Sequence, residues 1–162
     1  MSRTLGILAS VFALFLFTSA AHAAGRLTFV DKFFAGGDEL DVATYFDPDA
    51  SPGSKKISLL GIKSGARRIS VAFDAGEWPT FTALWNKAVA EQSNSWQDTG
   101  TFVETGTDDT STLKLSAGPG VTFLISSPAH GVQTFLLAQG DMGRFGAAVQ
   151  KVQVMLADQT SD

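Results

Sequence analysis

The sequence predicts an α+β fold: two β-β-β-β-α halves packed about a pseudo-two-fold axis, with antiparallel sheets and a helix ending each half. Three observations carry this. "GEWPTFTALWNKAV" (76–89) is echoed 64 residues later by "GDMGRFGAAVQKVQ" (140–153), with glycine, acid, Phe, Ala and Lys in step. At the same ungapped offset, "ISLLG" (57–61) lies over "VTFLI" (121–125), so that Ile57 meets Val121 and Leu59 meets Phe123. "ISVAF" (69–73) likewise lies over "QTFLL" (133–137). Self-similarity at a fixed spacing is the mark of a repeated unit.

The first 23 residues read as an address. "MSRTLG" carries one positive charge, "ILASVFALFLF" is a short apolar core, and "AHA" supplies small residues before a cut after Ala23. That is the three-part pattern of a secretory leader. The expectation is a periplasmic or extracellular protein whose residues 24–162 form one globular domain, with repeat one at about 24–92 and repeat two at about 93–158. No membrane span is expected once the leader is cleaved. The chain has no cysteine, so no disulfide supports it and an apolar core must.

Extended runs come first in each half. "RLTFVDKFF" and "LDVATYF" flank a Gly-Gly-Asp turn. "DPDASPG" (47–53) then reads as a linker; as a calcium loop it has Pro52 and Ser58 where glycine and glutamate are needed. "KKISLLGIK" and "RRISVAFD" alternate apolar and polar residues, the period of a half-buried strand. In the second half "SWQDTGTFVET" and "STLKLSAG" flank "GTDDT", where Asp108 and Asp109 suggest a hairpin turn. "GVTFLISS" and "GVQTFLLAQ" follow, with Pro128 and His130 in the turn between them.

The helices follow Gly76 and Gly140. Glu77 and Asp141 stand where a carboxylate favours the positive helix end, Asp141 also as a candidate N-cap. Pro79 suits a first turn. Phe81, Leu84, Trp85 and Ala88 make one apolar stripe; Phe145, Ala148, Val149 and Val152 make the other. Trp78, Phe81 and Trp85 are read as core in preference to an aromatic platform. Leu60, Leu124 and Leu136 fall off the main apolar parity and are expected between the two units.

Tandem β-β-β-β-α units, with "ISVAFDAGEWPTFTALWNKAV" and "QTFLLAQGDMGRFGAAVQKV" each running from a last strand into a helix, resemble the Whirly and PUR-alpha families. The resemblance is in element order. It implies that fold and, as an alternative function, single-stranded nucleic-acid binding. The chain departs from those families in its leader and in its charge: removing Arg3 with the leader takes the net charge from −4 to −5.

Several chemistries are disfavoured. The mature chain has one histidine, His130, and no cysteine, so neither a cysteine nucleophile nor a multi-histidine zinc site is expected. No G-x-S-x-G elbow or Walker loop occurs. No catalytic residue, metal or cofactor is expected. The most suggestive cluster is basic: Lys55, Lys56, Lys63, Arg67 and Arg68, candidate ligands for a polyanion if they converge on one hairpin. The leading expectation is an exported, non-enzymatic binding or interaction module of the bacterial cell envelope, its partner an envelope protein or polymer. The alternative is a single-stranded nucleic-acid or other polyanion binder using the basic hairpin. A carboxylate-dependent hydrolase comes third.

Overall fold

A computed structural model describes residues 25–105 and 110–160. The leader and the Asp108–Asp109 turn lie outside the described residues. Eight strands form two four-stranded sheets, each a simple antiparallel meander. Sheet one comprises β1 (Arg26–Ala35), β2 (Asp38–Phe46), β3 (Lys56–Ser64) and β4 (Arg67–Phe73). Helix α1 (Trp78–Ala90) follows. Sheet two comprises β5 (Gln97–Val103), β6 (Thr112–Ala117), β7 (Gly120–Ser127) and β8 (Gly131–Ala138), and α2 (Met142–Ala157) comes after it.

Local chemistry explains the turns. β1 and β2 are joined through Gly36 and Gly37, whose φ values of 59° and 93° suit a two-residue hairpin that residues with a Cβ resist. The entry to α1 is closed by a reciprocal cap. Asp74 Oδ1 accepts from the Glu77 N–H at 2.7 Å, and Glu77 Oε2 accepts from the Asp74 N–H at 3.1 Å. Such an exchange satisfies two donors that a helix start leaves open. Asp141 makes no side-chain cap bond; it pairs instead with Arg144 at 3.6 Å.

The helices are exchanged between sheets. α1 packs on β5 and β6 of sheet two, whereas α2 packs on β1, β2 and β3 of sheet one. Between them lies one aromatic cluster. Phe145 of α2 lies 4.5 Å from Trp85 of α1 and 5.0 Å from Phe123 of β7, centroid to centroid. Phe145 also lies 5.4 Å from Phe33 of β1. Trp78, Phe81 and Trp85 are buried, as core residues, and the Trp78 indole donates to the Val149 carbonyl at 3.2 Å. Burying each such ring contributes about 1.5–3 kcal/mol, and with no cysteine the chain depends on that contribution.

Two details of the strand reading are corrected. Val71 pairs with Leu60, and Phe135 pairs with Phe123. The β7–β8 turn spans three residues, 128–130, where the β3–β4 turn spans only Gly65 and Ala66. An ungapped comparison therefore slips by one residue across the turn, and a one-residue slip moves a strand's side chains to the opposite face. Leu60 and Ile62 are the buried pair on β3, while Leu59 lies half-buried on the outer face. Leu124 and Leu136 are also on an outer face, Leu136 half exposed, so neither is pressed between sheets. No helix among the described residues is long and apolar enough to cross a membrane.

Candidate binding surface

With the core on one side of each sheet, the other sides are open. On sheet one the pairing register sets the outer face in rows across the strands. Phe34, Glu39, Lys63 and Arg68 form the row nearest the tight turns. Lys32, Asp41, Gly61 and Ser70 form the next, followed by Phe29, Ala43, Leu59 and Ala72, and then Leu27, Tyr45 and Ile57. The face thus grades from charged at one end to apolar at the other. Leu27, Phe29 and Phe34 are 41%, 42% and 68% exposed.

Asp41 is the organising group. It projects from a central strand, yet is fully buried beneath its neighbours. Arg68 reaches across β3 to place Nη2 2.5 Å from Asp41 Oδ1. Gly61 leaves room for that reach, since a Cβ there would lie 2.8 Å from Arg68 Nε and 3.0 Å from Asp41 Oδ1. Phe29 completes the cover, with Lys32 Nζ 4.1 Å and the Arg68 guanidinium carbon 5.6 Å from its ring centre. Lys32 also pairs with Glu39 at 2.8 Å. Burial pushes the Asp41 carboxyl up to about 6; Arg68 pulls against this, Glu39 adds to it, and Lys32 opposes it. Asp41 Oδ2 has no hydrogen-bond partner among the described residues.

The five sequence-selected basic residues do not converge. Lys55 and Lys56 stand at one end of β3, and Lys63, Arg67 and Arg68 at the other, about 23 Å away at the rise of a strand. Lys56 is only 3% exposed, and its backbone N–H and C=O are both bonded by the Gln159 amide. Arg67 donates to the His130 carbonyl and Arg68 is paired with Asp41. Lys63 is exposed, and its ammonium makes no ion pair among the described residues. Sequence reasoning missed Asp41, Phe29 and Lys32. The available signals were an acid inside the apolar run "LDVATYF" and a glycine inside "ISLLGIK", which marks a close approach in a strand.

Sheet two presents a different outer face. Its rows are Val103, Thr112, Ser126 and Val132; Thr101, Lys114, Leu124 and Thr134; and Asp98, Ser116, Thr122 and Leu136. Asp98 is exposed, and hydrogen bonds from Lys114 and Ser116 hold its carboxyl below the usual carboxylate range.

Two of the clefts among the described residues lie beside the sheets. One, of about 250 Å³, lies where Ser64 and Arg67 meet Val132, Gln133 and Thr134. The other, of about 210 Å³, is lined by Asp74, Glu77 and Glu104 with Ile57, Ala72 and Thr105. Asp74 and Glu77 are committed there to the helix cap, and Glu77 also bonds the Thr105 hydroxyl. No set of three metal-ligating side chains occurs among the described residues. No family model matches the chain, and no curated protein matches it.

Proposed function

We propose that the chain is a non-catalytic binding module exported to the bacterial cell envelope, and that it works through the outer face of sheet one. The observation that carries this is the make-up of that face. It sets exposed Leu27, Phe29 and Phe34 and half-buried Tyr45, Ile57 and Leu59 around a fixed ion pair. Both helices lie elsewhere, on the buried sides. A contiguous apolar patch with a polar rim is the usual form of a docking surface. The leader, its cleavage after Ala23 and the periplasmic location belong to the same proposal.

We also infer a duplication. Its supports are the shared order of four strands and a helix, to which the second half adds a 3-10 turn at Gln139–Asp141, a strand irregularity in the first hairpin of each half (Phe29/Asp31 and Asp98/Gly100) and the reciprocal placing of the two helices. Kinship of fold with the Whirly and PUR-alpha families rests on the same features.

A photo-reactive residue at position 34 tests the docking reading in cells, with position 154 on α2, 72% exposed in the native chain, as the control. Protein adducts at 34 and none at 154 support it. Equal labelling, or none at 34, ends it. The polyanion alternative has one favouring observation, the stacking of Lys32 and Arg68 on Phe29 beside exposed Phe34, since rings with nearby cations suit single strands. Against it, Lys32 and Arg68 are already neutralised by Glu39 and Asp41. Oligonucleotide binding that weakens steeply with salt, and is lost on Lys32→Glu, would restore it.

A further inference from the structure

The rows on the outer face of sheet one have a property that a single copy does not use. About the line between β2 and β3, one large residue faces a small one and one acid faces a base, while Phe34 faces Arg68 and Tyr45 faces Ile57. Phe29 on β1 is matched by Ala72 on β4, and Glu39 on β2, which Lys32 of its own chain also pairs, is matched by Lys63 on β3. A two-fold axis lying parallel to the strands, between two such faces, inverts the strand order and keeps the row. It sets β1 over β4 of the second copy and β2 over β3. Phe29 then stands over Ala72 of the second copy and Glu39 over Lys63, each contact occurring twice.

We propose that the occupant of this face is a second copy of the chain, in a face-to-face dimer of sheet one. The proposal rests on the docking reading above and names its partner. Packed sheets keep their strands within about 30° and interdigitate their side chains about 10 Å apart, which is what alternating large and small residues allow. The other face-to-face arrangement, with the two-fold running across the strands, is disfavoured. It lays the row of Glu39, Lys63 and Arg68 on the row of Leu27, Tyr45 and Ile57, leaving charges desolvated without partners.

Charge and area agree with this choice. The whole chain is acidic, with net charge −4, yet this face is nearly balanced, setting Lys32, Lys63 and Arg68 against Glu39 and Asp41. Four strands about 4.8 Å apart and nine residues long give a projected footprint of roughly 500 Å². Roughly 800 Å² per partner is the standard for stable complexes, so this contact is smaller than the standard and a concentration-dependent association is expected.

The decisive experiment is sedimentation equilibrium on the purified chain without its 23-residue leader, using Glu39→Lys and Lys63→Glu. Each variant alone places like charges in register twice and should dimerise about tenfold or more weakly than the native chain. Mixed in equal amounts, they should form a heterodimer of near-native affinity. One of its two contacts then joins the two altered positions, which carry opposite charges, and the other joins the native Glu39 and Lys63. Contacts within one chain cannot produce that rescue. If either variant fails to fold, Phe29→Ala and Ala72→Phe make the same test by size. A native chain that stays monomeric to about millimolar concentration, or a mixture no tighter than its components, overturns the dimer. If position 34 still labels another protein in that case, the docking reading survives and only the second copy is lost. If position 34 labels nothing, both fall.

Discussion

The outer faces of the two sheets have the same strand order and antiparallel pairing, and they differ in almost every side chain. Sheet one surrounds a buried carboxylate with aromatic and aliphatic residues. Sheet two covers the same kind of surface mainly with Thr101, Thr112, Thr122, Thr134, Ser116 and Ser126, among which Val103, Val132 and Leu136 stand half exposed. The contrast is clearest at its acids. Asp41 is covered and its carboxyl is pushed upward by burial; Asp98 is open to water and held downward by Lys114 and Ser116. The inner faces of both sheets, meanwhile, carry a continuous apolar core. Packing constrains the inside of both sheets alike, while the outsides are free to differ; on the docking reading proposed above, only that of sheet one meets a partner.

Breaking each face's ion pair gives the largest expected difference. Arg68→Ala strands Asp41 in its covered site and should cost about 3 kcal/mol, toward the low end for orphaning a buried charge. Lys114→Ala on sheet two should lower the urea midpoint far less, because water solvates Asp98 in place of the lysine. Equal losses from both would erase the contrast.

Next comes association. Leu59→Asp puts a charge at the centre of the proposed contact and should weaken dimerisation by about a hundredfold. Leu124→Asp, at an outer position of sheet two, should leave it unchanged in the same sedimentation experiment.

A pH series sharpens the comparison at the acids. The folded-state value of Asp41, about 6, stands above its ordinary 3.8. Its contribution to stability is therefore complete below 3.8 and is lost as pH rises through about 6. Urea midpoints of the native chain should gain from this residue as pH falls from about 7 toward about 4, and Asp41→Asn should remove that gain. Asp98, shifted the other way, acts in the opposite sense at lower pH, losing its contribution as the carboxylate protonates. The smallest effect is expected from Leu136→Thr, which exchanges one half-exposed residue for the kind that surrounds it. It should move stability by less than about 0.5 kcal/mol.

Much of the frame was legible because it depends on short-range chemistry. Gly36 and Gly37 marked a turn, alternation marked the strands, and the spacing of Phe81, Trp85 and Ala88 marked a buried stripe. The face of β3 was misread because facing depends on turn length. One extra residue between β7 and β8 breaks the alignment that made Leu59 look like the partner of Phe123. The Asp41–Arg68 pair was invisible for another reason: its members are 27 positions apart on strands that do not touch, and the gap over Gly61 exists only once three strands are side by side. The basic cluster was adjacent in sequence and dispersed in space because a strand carries its two ends apart.

The crossed placement of the helices bears on how the molecule is made. The covering for sheet one is α2, which ends at Ala157 of a 162-residue chain. A nascent polypeptide that has emerged only through α1 holds a finished sheet with its greasy side bare, and a helix whose own resting place has yet to be synthesised. Folding must wait for the last segment, and contacts that span so much chain form slowly. The inner side of sheet one is therefore among the last surfaces of the fold to be sealed.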